Sequence, residues 1–367
     1  MKRLLILFTP LLFLTSFQTV SQSNFEKVLD FLETEMAEKG IPGLQIAIIQ
    51  NNELMLSESL GLSNVPFSVE TKKETIFSIN SIAKIFASTA ILQLSEKGKL
   101  QINQPISNYL NELPKDWQKI TIKELLSHTS GLPDIEGTSN GDLIGGKGMA
   151  TAWEEVQRMP LEFKTGTEFS YNATNYLLLE KVVEKLGGMD FEKFIQQNQF
   201  DIAEMDKTFY GNSFEVIENR SPTYSFYYFD KNVGDYALKD QLLEVSEEFP
   251  IKADAGAFST AEETAKWITA LQTGKFISQE SIDKMWEPVK MNNGEYGGFG
   301  GLLNAYALGW PVIKREKHLG VSAFGGGRAS ITIYPKDNLS IILFTNLSGL
   351  PTFEIVENIS KFYLNQD

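Results

Sequence analysis

The chain has 367 residues, 42% of them hydrophobic and 22% charged, and a formal net charge of -14. This is globular composition with material for a large core, not that of a disordered or fibrous chain. The acidic balance without a basic run excludes a nucleic-acid partner, two histidines leave too little for a histidine-rich metal site, and the lack of cysteine removes disulfides and thiolate ligands.

In chain order, Met1-Lys2-Arg3, the apolar run Leu4 to Phe17 and the small residues Thr19-Val20-Ser21 fit a secretory leader over residues 1–21. The apolar run is shorter than the roughly 20 residues of a spanning helix, so a periplasmic or secreted protein without a stable membrane span is expected. Without cysteine, a lipid-modified N-terminus is not available. The remainder, 22–367, reads as one domain. Phe25, Val28, Phe31, Leu32 and Met36 recur at helical spacing, ended by Gly40 and Pro42. Leu44 to Ile49 and Leu54 to Leu60 read as two strands of a hairpin.

Ser81-Ile82-Ala83-Lys84 opens a helix that keeps Ile85, Phe86, Ala90, Ile91 and Leu94 on a buried side and stops at Gly98. Thr121 and Glu124 form a capping-box pattern for a second helix, which runs into the turn-rich His128 to Asp134. Residues 135–150 hold five glycines and read as a surface excursion. Helical spacing returns from Tyr171 to Leu186 and from Phe191 to Ile195. Ser221 to Phe249 is aromatic-rich with no clear period, either a packed irregular layer or the wall of a substrate groove. Ser259 to Glu263 carries a doubled capping box before a helix through Trp267 and Leu271. Ala329 to Tyr334 and Leu339 to Thr345 are strands, and a last helix covers about Phe353 to Leu364.

The expected fold class is therefore α+β: an antiparallel sheet built from both chain ends and flanked by helices, with a large, mostly helical insertion. About 22–75 and 250–367 would form the α/β part and about 76–249 the helical part.

Ser81 and Lys84, three apart on a helix, lie on one face within reach of each other. A serine hydroxyl needs an adjacent base, and a lysine can be that base if burial and the helix N-terminus lower its pKa. A second Ser-x-x-Lys stands at Ser281 and Lys284, but its surroundings are polar and Asp283 adjoins the lysine, so it reads as a solvated helix start. Gly137-Thr138-Ser139-Asn140-Gly141, with His318 downstream, fits the nucleophile elbow of α/β-hydrolases, yet lacks the strand and helix that the elbow requires.

The runs Phe77 to Lys84, Leu100 to Ile106 and Ile120 to Asp134, with Gly166 to Tyr171, Gly256 to Glu262 and Tyr334 to Asn346, resemble the serine β-lactamase-like family, and most of all its class C branch of β-lactamases, D-alanyl-D-alanine carboxypeptidases, D-amino-acid peptidases and esterases. The resemblance implies an acylated nucleophile at Ser81 with Lys84 and Tyr171 as its base network. It also implies oxyanion donors at the Ser81 and Val321 amides. Its Tyr-x-Asn motif is altered, because Asn172 stands second and Ala173 third. Asn172 is the candidate to reach the substrate from a shifted backbone, and a missing amide partner favours an ester over a lactam. The third motif, on an edge strand, is matched by His318-Leu319-Gly320, making His318 and Gly320 substrate-binding; an ungapped count gives Gly320-Val321-Ser322. His128 is expected to bond backbone rather than do chemistry. The implied function is an exported serine hydrolase acting on a small-molecule or peptide ester or amide, without cofactor or metal. Ester, β-lactam and D-amino-acid peptide all satisfy this logic. The alternative is a non-catalytic peptide- or glycan-binding protein on the same fold.

Overall fold

The computed structural model describes residues 14–137, 142–230 and 235–364. Positions 1–13 of the expected leader, and Ser139 with Gly141 of the elbow motif, lie outside the described residues.

The main sheet has eight strands in the order Val69–Glu70, Glu53–Asn64, Gly43–Gln50, Leu339–Thr345, Ala329–Tyr334, Gly320–Gly325, Pro311–Ile313, Ala305–Tyr306. All the pairings are antiparallel, and the two chain ends meet where Leu44 opposes Thr345 and Gln50 opposes Leu339. Alternation along Gly43–Gln50 divides its side chains between two cores. Leu44, Ile46 and Ile48 pack with Val28 and Leu32 of the helix Leu14–Lys39 and with Ile355 and Ile359 of the helix Thr352–Ser360. Ala47 and Ile49 face the other way, toward the helices Ala83–Glu96 and Ala261–Gln272. A strand buried on both faces must be apolar at nearly every position, which GLQIAIIQ is.

The helix Ala83–Glu96 is buried all round rather than on one side, since every residue from Ala83 to Leu94 is covered. It runs between the sheet and the helix Ala173–Gly187, and its polar residues are satisfied locally: Ser88 Oγ donates to Lys84 O at 2.9 Å and Thr89 Oγ1 to Ile85 O at 2.8 Å. The aromatic-rich stretch is a hairpin, Thr223–Asp230 against Asp235–Val245, not an irregular layer. A register shift between Ser225 and Tyr227 breaks its alternation, which hides the strand period in the sequence. Tyr224 N donates to Asn346 O at 2.7 Å and its hydroxyl accepts from Val65 N at 3.0 Å, so the hairpin root is fastened on the side of the terminal helices. Among the described residues none of the hairpin lines the pocket at Ser81, so its strands are no groove wall there.

Candidate active site

The strand Phe77–Asn80 pairs with Ala257–Ser259 and delivers Ser81 to the mouth of the helix Ala83–Glu96. Asn80 takes the left-handed conformation at φ +48°, an uncommon state for a non-glycine residue, and turns the chain there. Lys84 lies in the first turn, 2% exposed, and its Nζ donates to Ser81 Oγ at 3.2 Å. The same nitrogen is 2.7 Å from Asp254 Oδ1 and donates to the Asp254 carbonyl at 3.0 Å. It also stands 4.5 Å from the Tyr171 ring centre and 5.2 Å from that of Tyr176.

Burial alone would lower the Lys84 pKa, but the Asp254 carboxylate and then Tyr171 outweigh it and hold the amine above the ordinary lysine range. This setting favours an ammonium at Lys84 over the neutral lysine base that the sequence suggests. Asp254 was not foreseen as a site residue. Its only signal in the sequence is an acid set between Ala253 and Ala255 just before a buried strand.

Tyr171 precedes the helix Ala173–Gly187, with its ring 4.5 Å from His128 and 5.2 Å from Phe299. Its hydroxyl interacts with both Lys84 and Ser81. Burial raises the phenol pKa and the Lys84 charge partly offsets that. His128 is fully buried, and its Nδ1 accepts from Asn172 N at 3.1 Å and faces Asn175 Nδ2 at 3.0 Å. Burial and the nearby ammonium push its pKa well down, leaving a neutral ring that orders backbone, as expected.

Two acids stand behind this group. Asp134 accepts from Ala173 N at 3.0 Å, and burial lifts its carboxyl to about 6. Glu136 is lifted to about 8 by burial and then by Asp254.

A sequence profile described as Beta-lactamase matches residues 28–365. The chain belongs to the Beta-lactamase family. A penicillin-binding protein of Bacillus subtilis (strain 168) is 28% identical over 310 residues, 79% of this chain and 68% of its own length. Among solved structures, the octameric penicillin-binding protein homologue from Pyrococcus abyssi aligns over 92% of this chain and 76% of its own, at TM-score 0.75 and 23% identity. EstCE1, a hydrolase with promiscuous acyltransferase activity, aligns over 95% and 100%, at TM-score 0.77 and 17% identity. Both structures share the fold.

As a member of the Beta-lactamase family the chain departs from expectation at two places. Asn172 caps the helix Ala173–Gly187: its Oδ1 accepts from Asn175 N at 3.2 Å and its Nδ2 donates to Leu132 O at 2.7 Å. It is buried and fully engaged, so it is corrected from a substrate ligand to a structural cap.

The third motif is also displaced. His318 lies in the turn before Gly320–Gly325, its Nδ1 2.8 Å from Asp337 Oδ1 and its carbonyl accepting from Arg315 Nε. Gly320 and Val321 pair with Ile313 and Val312 at the far end of their strand. The residue against the nucleophile is Gly325, where a Cβ would lie 2.1 Å from Ile79 O and 2.8 Å from Ser81 N. Val321 lies four positions from it along the strand, roughly 13 Å. His318, Gly320 and Val321 are thus corrected, and Phe324-Gly325-Gly326 stands beside the serine. The expected register assumed a long hairpin. The actual turn is tight, with Gly326 and Gly327 at φ +56° and +57° and Gly325 opposite Ala329.

The Ser281 copy behaves as its polar setting suggests: Ser281 Oγ donates to Glu96 Oε1 at 2.5 Å, and Lys284 pairs with Glu280 on the surface.

Proposed function

We propose that the chain is an exported serine hydrolase that cleaves an ester through an acyl-enzyme on Ser81. Membership of the Beta-lactamase family supports a serine hydrolase. The observation that carries the chemistry is Lys84 Nζ, 3.2 Å from Ser81 Oγ and locked as an ammonium by Asp254. An ammonium cannot take the serine proton, but it stabilises a phenolate beside it. Tyr171 is therefore the proton acceptor in its ionised form, whose cost from burial Lys84 partly offsets.

Ser81 Oγ attacks the carbonyl carbon while its proton passes to the Tyr171 phenolate. The oxyanion is held by the Ser81 amide, at the mouth of the buried helix, and by an amide of the strand end Ala323–Gly325 beside it. Collapse expels the alcohol, which takes the proton back from Tyr171. Water then repeats the sequence on the acyl-enzyme. Ala173, in the place of the amide-binding asparagine, supports an ester over a lactam or peptide. The leader-like residues 1–21 support export to the periplasm or medium.

The test is labelling of the full chain with a fluorophosphonate probe. The wild type should label and Ser81→Ala should not. Absent labelling, or equal labelling of the variant, would remove the hydrolase reading and leave a binding protein on the same fold.

A further inference from the structure

The pocket enclosed at Ser81 is about 10 Å³, bounded by Tyr171, Tyr306, Ala323 and Phe324. That is space for about one water molecule. The bulk of a substrate whose carbonyl reaches Ser81 must therefore lie outside it. What lies outside is a row of aromatic rings. Phe324 packs edge-on against Phe299 at 5.2 Å, Phe299 lies 5.2 Å from Tyr171, and Phe353 continues the row 5.6 Å beyond Phe324. Phe299 is 42% exposed and adjoins Tyr171, so the row opens to solvent beside the nucleophile.

Its charges complete the picture. The cation at the serine is Lys84, and Asp254 has taken it. Arg328 follows the Gly325–Gly327 turn but is 1% exposed and gives Nη2 to Glu247 Oε2 at 2.5 Å. Among the described residues that line the pocket, Lys84 is the only cation. A substrate carboxylate brought here finds no unpaired cation among them, and burying it without a partner is costly.

Resting on the hydrolase reading above, we propose that the site takes esters with an uncharged, apolar acyl chain, and that Phe299 and Phe324 determine this specificity by seating that chain along the aromatic row. Anionic substrates, β-lactams and peptides with a free carboxylate among them, are excluded by the same arrangement.

The experiment compares kcat/KM of the full chain for nitrophenyl hexanoate, nitrophenyl acetate and the nitrophenyl monoester of adipic acid, which matches hexanoate in length but ends in a carboxylate. Hexanoate should exceed the adipate monoester by about 100-fold, and Phe324→Lys should narrow that ratio by about 10-fold by supplying a cation. Phe299→Ala should reduce the preference for hexanoate over acetate by about 10-fold. Equal or faster turnover of the adipate monoester by the wild type overturns the proposal. So do ratios that neither variant moves, and if Phe324→Lys does not fold, Phe299→Ala still decides. Fluorophosphonate labelling keeps the two claims apart: a labelled wild type with the wrong preferences sinks the specificity alone, whereas an unlabelled one sinks the hydrolase with it.

Discussion

Asp254 decides which of two chemical characters Lys84 has. Without it, burial would favour the neutral amine; with it, an ion pair 2.7 Å long keeps the ammonium. Asp254→Asn should therefore lower the Lys84 pKa below the ordinary lysine range and slow fluorophosphonate labelling by about 100-fold, since the phenolate loses its fixed counter-charge. Breaking a buried pair also costs about 3 kcal/mol of stability, which denaturant titration reads separately. Labelling at the wild-type rate would show that the carboxylate has no part in the chemistry. Ser81, Lys84 and Tyr171 were legible because serine beside lysine, and tyrosine in a recognisable run, announce their chemistry by type and spacing. Asp254 was not, since it reaches Lys84 across 170 positions and only the fold brings the two together. Asn172 was misread for a related reason: an asparagine before a helix serves as cap or ligand equally well, and the backbone decides.

At the level of elements, the strand Gly320–Gly325 and the strand Phe77–Asn80 must approach closely for the oxyanion donors to converge. Gly325 permits it, because any side chain would strike Ile79 O. Gly325→Ala should retain the fold, as the strand remains paired along Val321 to Phe324, but part it from Ser81. A displacement on the order of 1 Å at such a site costs about 100-fold in rate, so kcat for nitrophenyl hexanoate should fall by that factor with KM little changed. An unchanged kcat would show that this strand end holds no oxyanion donor. The sheet itself was readable from both chain ends, because two-sided burial leaves mostly apolar runs at Gly43–Gln50 and Leu339–Thr345. The register of the edge strand was not. His318 is chemically conspicuous, whereas the tight turn that places Phe324 at the site depends on two glycines whose left-handed conformations are a property of the folded chain. The hairpin Thr223–Asp230 and Asp235–Val245 was illegible because a register shift interrupts its alternation.

Taken whole, the molecule hides several acids at a cost that depends on pH. Burial raises Glu136 from 4.5 to about 8 and Glu180 from 4.5 to about 7. Between those limits the unfolded chain gives up protons that the folded chain keeps, so stability falls as pH rises through the window. His128 acts in the opposite sense but only below its ordinary value of 6.5, where the unfolded ring takes up a proton that the buried ring refuses. Above pH 6.5 the acids act alone. Raising the pH from about 6.5 to 8 should therefore destabilise the wild type by about 2 kcal/mol through Glu136, and Glu136→Gln should remove most of that decline in denaturant titrations at the two values. General repulsion from the net charge of -14 offers a competing cause, and salt separates them. At about 1 M ionic strength the screening length is only about 3 Å, so a decline due to overall charge disappears while one due to burial of Glu136 persists. A decline of equal size in Glu136→Gln, or one abolished by salt, would assign the pH dependence to the surface rather than to the acids around the serine.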